Sequence, residues 1–213
     1  MLEAILWDND GVLVDTECLF FESTRTVLAS IGIPLSLPQF LDLSMRQGRS
    51  ALDLAIEQGW EKQEVSTLKR KRDVLYSDML RNQTRVLPGV AETLQKLHGR
   101  MRMAVVTSSQ RQHFDVMHSA TGLMRYFEFV LAREDYRETK PNPEPYLLAL
   151  ERLGLMADHC VAVEDSERGL AAARAAGLRC LVIPNHMTRS CNFQGAAAML
   201  PGAAAVLDAL ADL

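Results

Sequence analysis

Two acidic residues, separated by a single residue, follow a short apolar run near the start of the chain. The stretch AILWDNDGVLVDTE, residues 4–17, places Asp8 and Asp10 directly after four apolar side chains. Carboxylates at the end of a buried strand are costly to desolvate unless a positive charge lies close by. Oxygen ligands of this kind hold divalent metal ions, and a carboxylate can also act as a nucleophile or a proton donor. The pair therefore indicates metal-assisted chemistry.

Later apolar runs also end in polar side chains, namely Thr107 with Ser108, then Lys140, then Glu164 with Asp165. Four acids around one point repel each other unless a cation is present, and oxygen-only ligands suit Mg²⁺. The hydroxyls, the ammonium group and a helix start placed at Ser108 would form an anion receptor beside the metal. A metal site that adjoins an anion site suggests a phosphoryl group as the substrate.

Continuous apolar runs alternate with helical patterns along most of the chain. Strands are predicted at 3–7, 102–109, 126–132, 158–166 and 178–184. Helices are predicted at 88–99, 142–154 and 166–177, with a closing helix in the alanine-rich tail. Runs without polar alternation are typical of strands covered on both faces. The pattern predicts an α/β fold with a doubly wound parallel sheet, which binds ligands at the carboxyl ends of its strands.

The segment between the first strand and Pro88 interrupts this alternation. It contains helical patterns, among them 16–32 and 62–83, and no strand candidate. The sequence therefore predicts two domains. Residues 1–15 and 87–213 would form the catalytic α/β core, and residues 16–86 would form an inserted helical cap.

The composition excludes several classes of protein. Of the 213 residues, 48% are hydrophobic and 23% are charged, which is typical of a soluble globular protein. A net charge of −4 gives no reason to expect a nucleic acid or an anionic membrane as partner. The four cysteines form no CxxC pair, so neither a zinc site nor a disulfide framework is indicated. Without a predicted signal peptide or membrane span, we expect a cytoplasmic monomer.

Four motifs in order resemble those of the haloacid-dehalogenase-like (HAD) superfamily: DNDGVLVDTE, VVTSS, KPNPEPY and VEDSERGLAAARAAG. The most similar branch is the phosphoglycolate-phosphatase and β-phosphoglucomutase-like group, in which a helical cap follows the first motif. The resemblance extends from residue 3 to about residue 184. It implies a Mg²⁺-dependent phosphatase that hydrolyses a small phosphorylated metabolite, such as a sugar phosphate or phosphoglycolate, through an aspartyl-phosphate intermediate.

The resemblance also implies a role for each motif residue. Asp8 would attack phosphorus, and Asp10 would protonate the leaving oxygen and then activate water. The phosphoryl oxygens would be bound by Thr107, Ser108 and Lys140. The Mg²⁺ ion would be held by Asp8, the backbone carbonyl of Asp10, Glu164 and Asp165.

Two groups of cations in the predicted cap are candidates for recognising a second negative group on the substrate. Arg46 and Arg49 lie in a loop that contacts substrate in members of the family. Lys71 and Arg72 fall in a gap of the apolar stripe of the helix predicted at 62–83. Solvated surface cations are the alternative interpretation of both groups.

A β-phosphoglucomutase-like sugar-phosphate mutase is the main alternative, because the resemblance covers its core and its cap. Those mutases carry a histidine shortly after the Asp-Thr of the first motif, where this chain has Phe20. Their cap loop follows a KGxSR pattern, whereas this chain reads RQGRS. Both departures from the mutase pattern favour a phosphatase. A haloacid dehalogenase, the other alternative, needs no Mg²⁺ and generally lacks the second aspartate, so Asp10 and the Glu164–Asp165 pair argue against it.

Overall fold

The chain divides into two compact units in the computed structural model, which describes all 213 residues. One unit comprises Met1–Asp15 and Arg85–Leu213, and the other comprises Thr16–Thr84. None of the helices combines the length and the apolar character that spanning a membrane requires.

Eight strands belong to the first unit. They are β1 (Ala4–Trp7), β2 (Val14–Asp15), β3 (Arg85–Val86), β4 (Arg102–Val106), β5 (Val130–Leu131), β6 (Cys160–Glu164), β7 (Arg179–Val182) and β8 (Ala198–Met199). Six of them form a parallel sheet in the order β5-β4-β1-β6-β7-β8, and β2 pairs with β3 in an antiparallel ladder. The central position of β1 between β4 and β6 brings the carboxyl ends of these three strands together.

The helices are divided between the two units. The second unit contains α1 (Glu17–Ala29), α2 (Leu37–Phe40), α3 (Asp53–Glu57) and α4 (Lys62–Gln83), with a π-helical segment at Leu41–Arg46 after α2. The first unit contains α5 (Val90–Leu97), α6 (Arg111–His118), α7 (Glu144–Leu153), α8 (Glu167–Ala175) and α9 (Val206–Ala211).

The side chains of β1 divide between two hydrophobic cores, one on each face of the sheet. Ala4 and Leu6 lie in the core that includes residues of α7 and α8. Ile5 and Trp7 lie in the core that includes residues of α5, α6 and α9. Because successive side chains of a strand point to opposite faces, a strand covered on both faces must be apolar throughout. The predicted α/β class with a doubly wound parallel sheet is confirmed.

Some strands differ from the predicted pattern. The segment before Pro88, in which no strand was predicted, contributes the short strands β2 and β3. The strand β8 extends the sheet beyond the five predicted strands, and β5 is much shorter than the predicted strand at 126–132. Each of these four strands contains two residues. Two residues are too few to establish a hydrophobic period, so pairing with a neighbouring strand defines them instead.

The second unit is helical, and its two long helices, α1 and α4, pack against each other. The α4 helix covers the predicted range of 62–83. Aromatic rings form part of the interior, with the ring centre of Phe20 lying 5.2 Å from that of Tyr76 and 6.1 Å from that of Phe40. Burial of these rings provides the apolar contact that holds the helices of this unit together.

Candidate active site

The ends of the central strands bring three of the predicted acids together. Asp8 follows β1, Glu164 is the last residue of β6, and Asp165 comes next along the chain. Carboxylate oxygens of the three residues lie within 4.8 Å of one another. Such a group of oxygen donors has the composition of a divalent cation site.

Lys140 supplies the positive charge beside these carboxylates. Its Nζ donates to Asp8 Oδ1 at 2.9 Å, to Glu164 Oε1 at 2.6 Å and to the carbonyl oxygen of Val106 at 2.8 Å. Burial alone would lower the pKa of Lys140, but the charges of Asp8 and Glu164 outweigh it and raise the pKa above the usual range. Lys140 is therefore a fixed positive charge, and its three protons are all bound by protein acceptors.

The contact with Lys140 does not fully compensate the negative charge around Asp8. Burial and the neighbouring charge of Glu164 raise the pKa of Asp8 to about 8, although Lys140 acts in the opposite direction. One ammonium group thus faces three carboxylates, and a divalent cation would supply the missing charge. The donor set of Asp8, Glu164 and Asp165 fits Mg²⁺, since it offers only oxygen atoms.

Glu164 is already engaged by several donors of the protein. Besides the contact with Lys140, its Oε1 accepts a hydrogen bond from the Tyr146 hydroxyl at 2.7 Å. Its Oε2 accepts from the backbone nitrogen of Asp165 and from Ser166 Oγ, both at 3.3 Å. These contacts occupy most of the acceptor sites of the carboxylate. Glu164 is therefore held as the partner of Lys140, and its predicted contribution to a metal site stays a prediction.

Asp165 is fixed by Asn185, a residue that the sequence analysis missed. Asn185 Nδ2 donates to Asp165 Oδ2 at 2.7 Å. Gly11, with a φ of +76°, lies against the same pair, and a Cβ on it would come within 2.4 Å of Asp165 Oδ2. Asn185 follows β7, so the argument from strand ends that selected Asp8 and Asp165 could also have selected it.

Asp10 is bound by hydroxyl groups that follow β4. Its Oδ2 accepts hydrogen bonds from Ser109 Oγ at 2.8 Å and from the buried Thr107 Oγ1 at 3.3 Å. Ser108 is exposed and interacts with Tyr136. The helix α6 begins at Arg111, so the helix start expected at Ser108 was placed wrongly, because residues 107–110 form a loop first. Among the three consecutive residues Thr107–Ser109, only the structure identifies the serine that reaches Asp10.

Asn9 and His118 form a buried polar pair behind the two aspartates, and neither was predicted. Asn9 Nδ2 donates to Asp10 Oδ2 at 3.2 Å, and Asn9 Oδ1 lies 2.7 Å from His118 Nε2. His118 Nδ1 lies 2.9 Å from Thr121 Oγ1. The side chain of Asn9 thus connects the loop after β1 with the end of α6.

The sequence model of the family described as "Haloacid dehalogenase-like hydrolase" matches residues 5–183. The chain belongs to this family. The predicted resemblance is confirmed, and the match includes Asp8, Asp10, Thr107, Lys140 and the Glu164–Asp165 pair.

Similar proteins include phosphatases and mutases. The phosphorylated carbohydrates phosphatase of Thermotoga maritima is 31% identical over 182 residues, which cover 83% of this chain and 82% of the relative. The crystal structure of CbbY from Rhodobacter sphaeroides in complex with phosphate superimposes with a TM-score of 0.84 at 28% identity and covers 100% of both chains. The structure of β-phosphoglucomutase from Clostridium difficile shares the fold, with a TM-score of 0.81 at 19% identity and coverage of 100% and 98%.

These relatives agree with the predicted branch of the HAD superfamily. The protein is a HAD-like phosphoric monoester hydrolase.

The predicted cap cations differ from one another in their surroundings within the second unit. Arg46 is exposed and lies 3.4 Å from the carboxylate of Asp42. Arg49 is also exposed and is bound to Glu57 at 2.8 Å. Lys71 is exposed and forms no ion pair in the structure. Both arginines are thus countered by local carboxylates, whereas Lys71 is not.

Arg72 does not share the exposure of Lys71, although the two were predicted to lie on one face of α4. Its side chain is buried, its guanidinium carbon lies 4.6 Å from the ring centre of Phe20, and its Nε donates to Asp73 Oδ1 at 2.8 Å. Stacking on an aromatic face and pairing with a carboxylate are both favourable for a guanidinium group. Arg72 is therefore part of the interior of the second unit.

Gly169 allows α8 to pack directly over the carboxyl group of Glu164, since a Cβ at this position would lie 1.9 Å from Glu164 Cδ. We expect Gly169→Ala to lower the free energy of unfolding, although the same change inside a helix normally stabilises by about 0.5–1 kcal/mol. Ala171→Gly, at an exposed position of α8, is the matched control and should show the ordinary helix cost. Urea unfolding measures both changes, and a stabilised Gly169→Ala variant would contradict this packing.

His118 should make the stability of the protein sensitive to acid. Burial lowers the pKa of His118 from 6.5 to about 4, and the nearby charge of Asp10 offsets only part of this effect. The folded state therefore binds the proton less readily than the unfolded chain, and stability present above pH 6.5 is lost as the pH falls towards 4. Relative to His118→Gln, the wild type should lose up to about 3 kcal/mol between pH 7 and pH 4. Urea unfolding across this range measures the difference, which would stay constant if His118 titrated normally.

Proposed function

We propose that the protein is a Mg²⁺-dependent phosphatase that hydrolyses a small phosphorylated carbohydrate through an aspartyl-phosphate on Asp8. The observation that carries the proposal is the contact of Asp8 Oδ1 with the buried Nζ of Lys140 at 2.9 Å, beside two further carboxylates. The phosphatase of T. maritima, which acts on phosphorylated carbohydrates by its name, supports this class of substrate.

Asp8 has the properties of a nucleophile in this proposal. Lys140 holds Oδ1, which leaves Oδ2 to attack phosphorus along a fixed direction. A carboxylate attacks without prior loss of a proton, and the covalent intermediate divides one difficult hydrolysis into two easier steps. Asp8, the backbone carbonyl of Asp10 and Asp165, together with Glu164, would hold Mg²⁺, which would supply the positive charge that a phosphoryl group requires beside a carboxylate.

Asp10 is the proposed general acid and base. It donates a proton to the leaving oxygen in the first step and takes a proton from water in the second. The hydroxyl groups of Thr107 and Ser109 hold its carboxylate in place. The predicted phosphoryl contacts of Thr107, Ser108 and Lys140 remain part of the proposal, with Lys140 acting first by compensating the charge of Asp8.

Mutase activity is the second candidate and is less compatible with the second unit. Phe20 occupies the position of the mutase histidine, and its ring packs against Tyr76 and the guanidinium group of Arg72. A phenyl ring neither donates nor accepts a proton, so Phe20 cannot perform the function of that histidine. We therefore propose hydrolysis rather than transfer between sugar positions.

Recognition of the rest of the substrate is assigned to the predicted cap. Lys71 is the strongest candidate there, because its charge is exposed and has no counter-ion in the structure. Arg46 and Arg49 would have to exchange their present carboxylate partners for a substrate group.

A panel of hexose phosphates, pentose phosphates and phosphoglycolate, assayed for inorganic phosphate, tests the proposed function. We expect phosphate release over many turnovers with Mg²⁺, loss of activity in excess chelator, and recovery when Mg²⁺ is added back. Release should be faster than interconversion of hexose 1-phosphate and hexose 6-phosphate. Full activity in chelator would contradict the metal requirement, and faster interconversion than release would identify a mutase.

A further inference from the structure

The side chain of Asn9 has no role in the chemistry described above, although it lies between the nucleophile and the general acid. It is fully buried, and its Nδ2 donates to Asp10 Oδ2 and to Met117 Sδ, both at 3.2 Å. Its Oδ1 lies 2.7 Å from His118 Nε2. A buried amide whose donors and acceptor are all used is fixed in orientation.

The polarity of these hydrogen bonds follows from Asp10. A carboxylate only accepts, so Asn9 presents its amino group to Asp10 and its Oδ1 to His118. Because Oδ1 also only accepts, His118 Nε2 carries a proton, and Nδ1 accepts from Thr121 Oγ1 at 2.9 Å. The low pKa that burial gives His118 agrees with this neutral imidazole. Each group in the series thus determines the orientation of the next.

Three donors converge on a single oxygen of Asp10. Oδ2 accepts from the amide of Asn9 at 3.2 Å, from Thr107 Oγ1 at 3.3 Å and from Ser109 Oγ at 2.8 Å. Three hydrogen-bond donors on one carboxylate oxygen stabilise its negative charge. The arrangement therefore favours Oδ1 as the oxygen of Asp10 that carries a proton.

We propose that Asn9 and His118 are a positioning pair that fixes the carboxyl group of Asp10 and directs its transferable proton to Oδ1. This inference rests on the proposed role of Asp10 in hydrolysis. In the first step, the proton on Oδ1 moves to the ester oxygen as its bond to phosphorus breaks. Asp8 forms its bond to phosphorus at the same time, and Asp10 is left as a carboxylate. Loss of the pair should slow cleavage only where the leaving oxygen needs this proton.

Two phosphate esters with different leaving groups make this effect measurable. Glycerol 2-phosphate releases an alkoxide that needs a proton, whereas p-nitrophenyl phosphate releases a stable phenolate. The ratio kcat/KM reports the steps up to the first cleavage, so it isolates the role of the acid from the later attack of water. Asn9→Leu and His118→Met should lower kcat/KM for glycerol 2-phosphate by about 10- to 100-fold. The same variants should change kcat/KM for p-nitrophenyl phosphate by less than about threefold.

His118→Gln is the conservative variant that should rescue activity. Glutamine places an amide N–H near the position of Nε2 and resembles methionine in length, so it differs from His118→Met mainly in the donor to Asn9. We expect His118→Gln to remain within about threefold of the wild type on glycerol 2-phosphate. Thr93→Val, which removes a buried hydroxyl bound to the Ala203 carbonyl outside the site, controls for a general loss of stability.

A single variant that leaves a buried polar atom unpartnered can fail to fold, so the double variant Asn9→Leu/His118→Phe completes the set. It removes both partners together, which costs less than removing one of them. A selective loss on glycerol 2-phosphate in this variant supports the positioning role. Wild-type activity, or an equal loss on both esters, overturns it.

The variant Asp10→Asn distinguishes a failure of the proposed function of Asp10 from a failure of the positioning role of Asn9 and His118. If Asp10→Asn cleaves glycerol 2-phosphate like the wild type, the proposed function of Asp10 fails. If Asp10→Asn is inactive on this ester while the variants of Asn9 and His118 are not affected, only the positioning role fails.

Discussion

Replacing Asp8 with asparagine is expected to reduce phosphatase turnover by at least about 10³-fold, because the side chain then lacks the charge needed to attack phosphorus. The fold should be retained. Burial and Glu164 already raise the pKa of Asp8 to about 8, so the site accommodates an uncharged side chain at this position. Steady-state phosphate release measures the first effect, and urea unfolding in a chelator measures the second.

Asp115→Asn is the matched control for this variant, since Asp115 is exposed on α6. It makes the same chemical change and should affect neither turnover nor stability by a measurable amount. Turnover of Asp8→Asn within tenfold of the wild type would exclude Asp8 as the nucleophile. An unfolded Asp8→Asn variant would contradict the prediction that a neutral side chain is tolerated.

Lys140→Met should abolish activity and also destabilise the protein. The ammonium group is buried and bound to Asp8 and Glu164, and removal of one member of a buried charge pair typically costs about 3–5 kcal/mol. Without Lys140, the pKa of Asp8 would rise further above its value of about 8, so the nucleophile would be harder to ionise. Urea unfolding and phosphate release measure the two effects on the same preparation.

Lys96→Met provides the comparison, because Lys96 is exposed on α5 and loses the same charge. It should change the free energy of unfolding by no more than about 0.5 kcal/mol. If Lys140→Met were as stable as Lys96→Met, the buried contacts of Lys140 would not contribute to folding. If it also retained activity, the proposed compensation of the charge on Asp8 would be wrong.

The positions of the motif acids could be predicted because they depend on strand ends alone. A continuous apolar run identifies a strand covered on both faces, and its last residue marks the edge where ligands bind. Asp8, Glu164 and Asp165 follow this rule, and their oxygens do meet at the ends of β1 and β6. Asn185 also lies just beyond a strand end, that of β7, but only charged and hydroxyl side chains were considered there, so this amide was missed.

The pairing of Asn9 with His118 could not be predicted in the same way. The two residues are separated by 109 positions, and each lies in a segment with an ordinary interpretation of its own. Only the packing of α6 against the sheet brings the imidazole to the amide. A single sequence records the types of such residues but not which distant partners meet.

The cap cations likewise show that a sequence pattern does not determine which contacts a side chain forms. Lys71 and Arg72 are neighbours in the sequence and fall in one gap of the apolar stripe of α4. Arg72 is nevertheless buried, because its guanidinium group stacks on Phe20 and binds Asp73, while Lys71 stays exposed. Helical periodicity assigns a face, but it does not determine which long side chain on that face finds an aromatic ring.

The most direct test of the proposed aspartyl-phosphate mechanism is the capture of phosphate on Asp8. The wild-type protein, mixed with Mg²⁺ and p-nitrophenyl phosphate labelled with ³²P, is stopped with acid within one turnover and digested into peptides. We predict an acid-stable label, removable by hydroxylamine as expected for an acyl phosphate, on the peptide that contains Asp8 and on no other. The label should be absent from Asp8→Asn. Turnover without a labelled peptide, or a label on a different residue, would contradict the proposed mechanism.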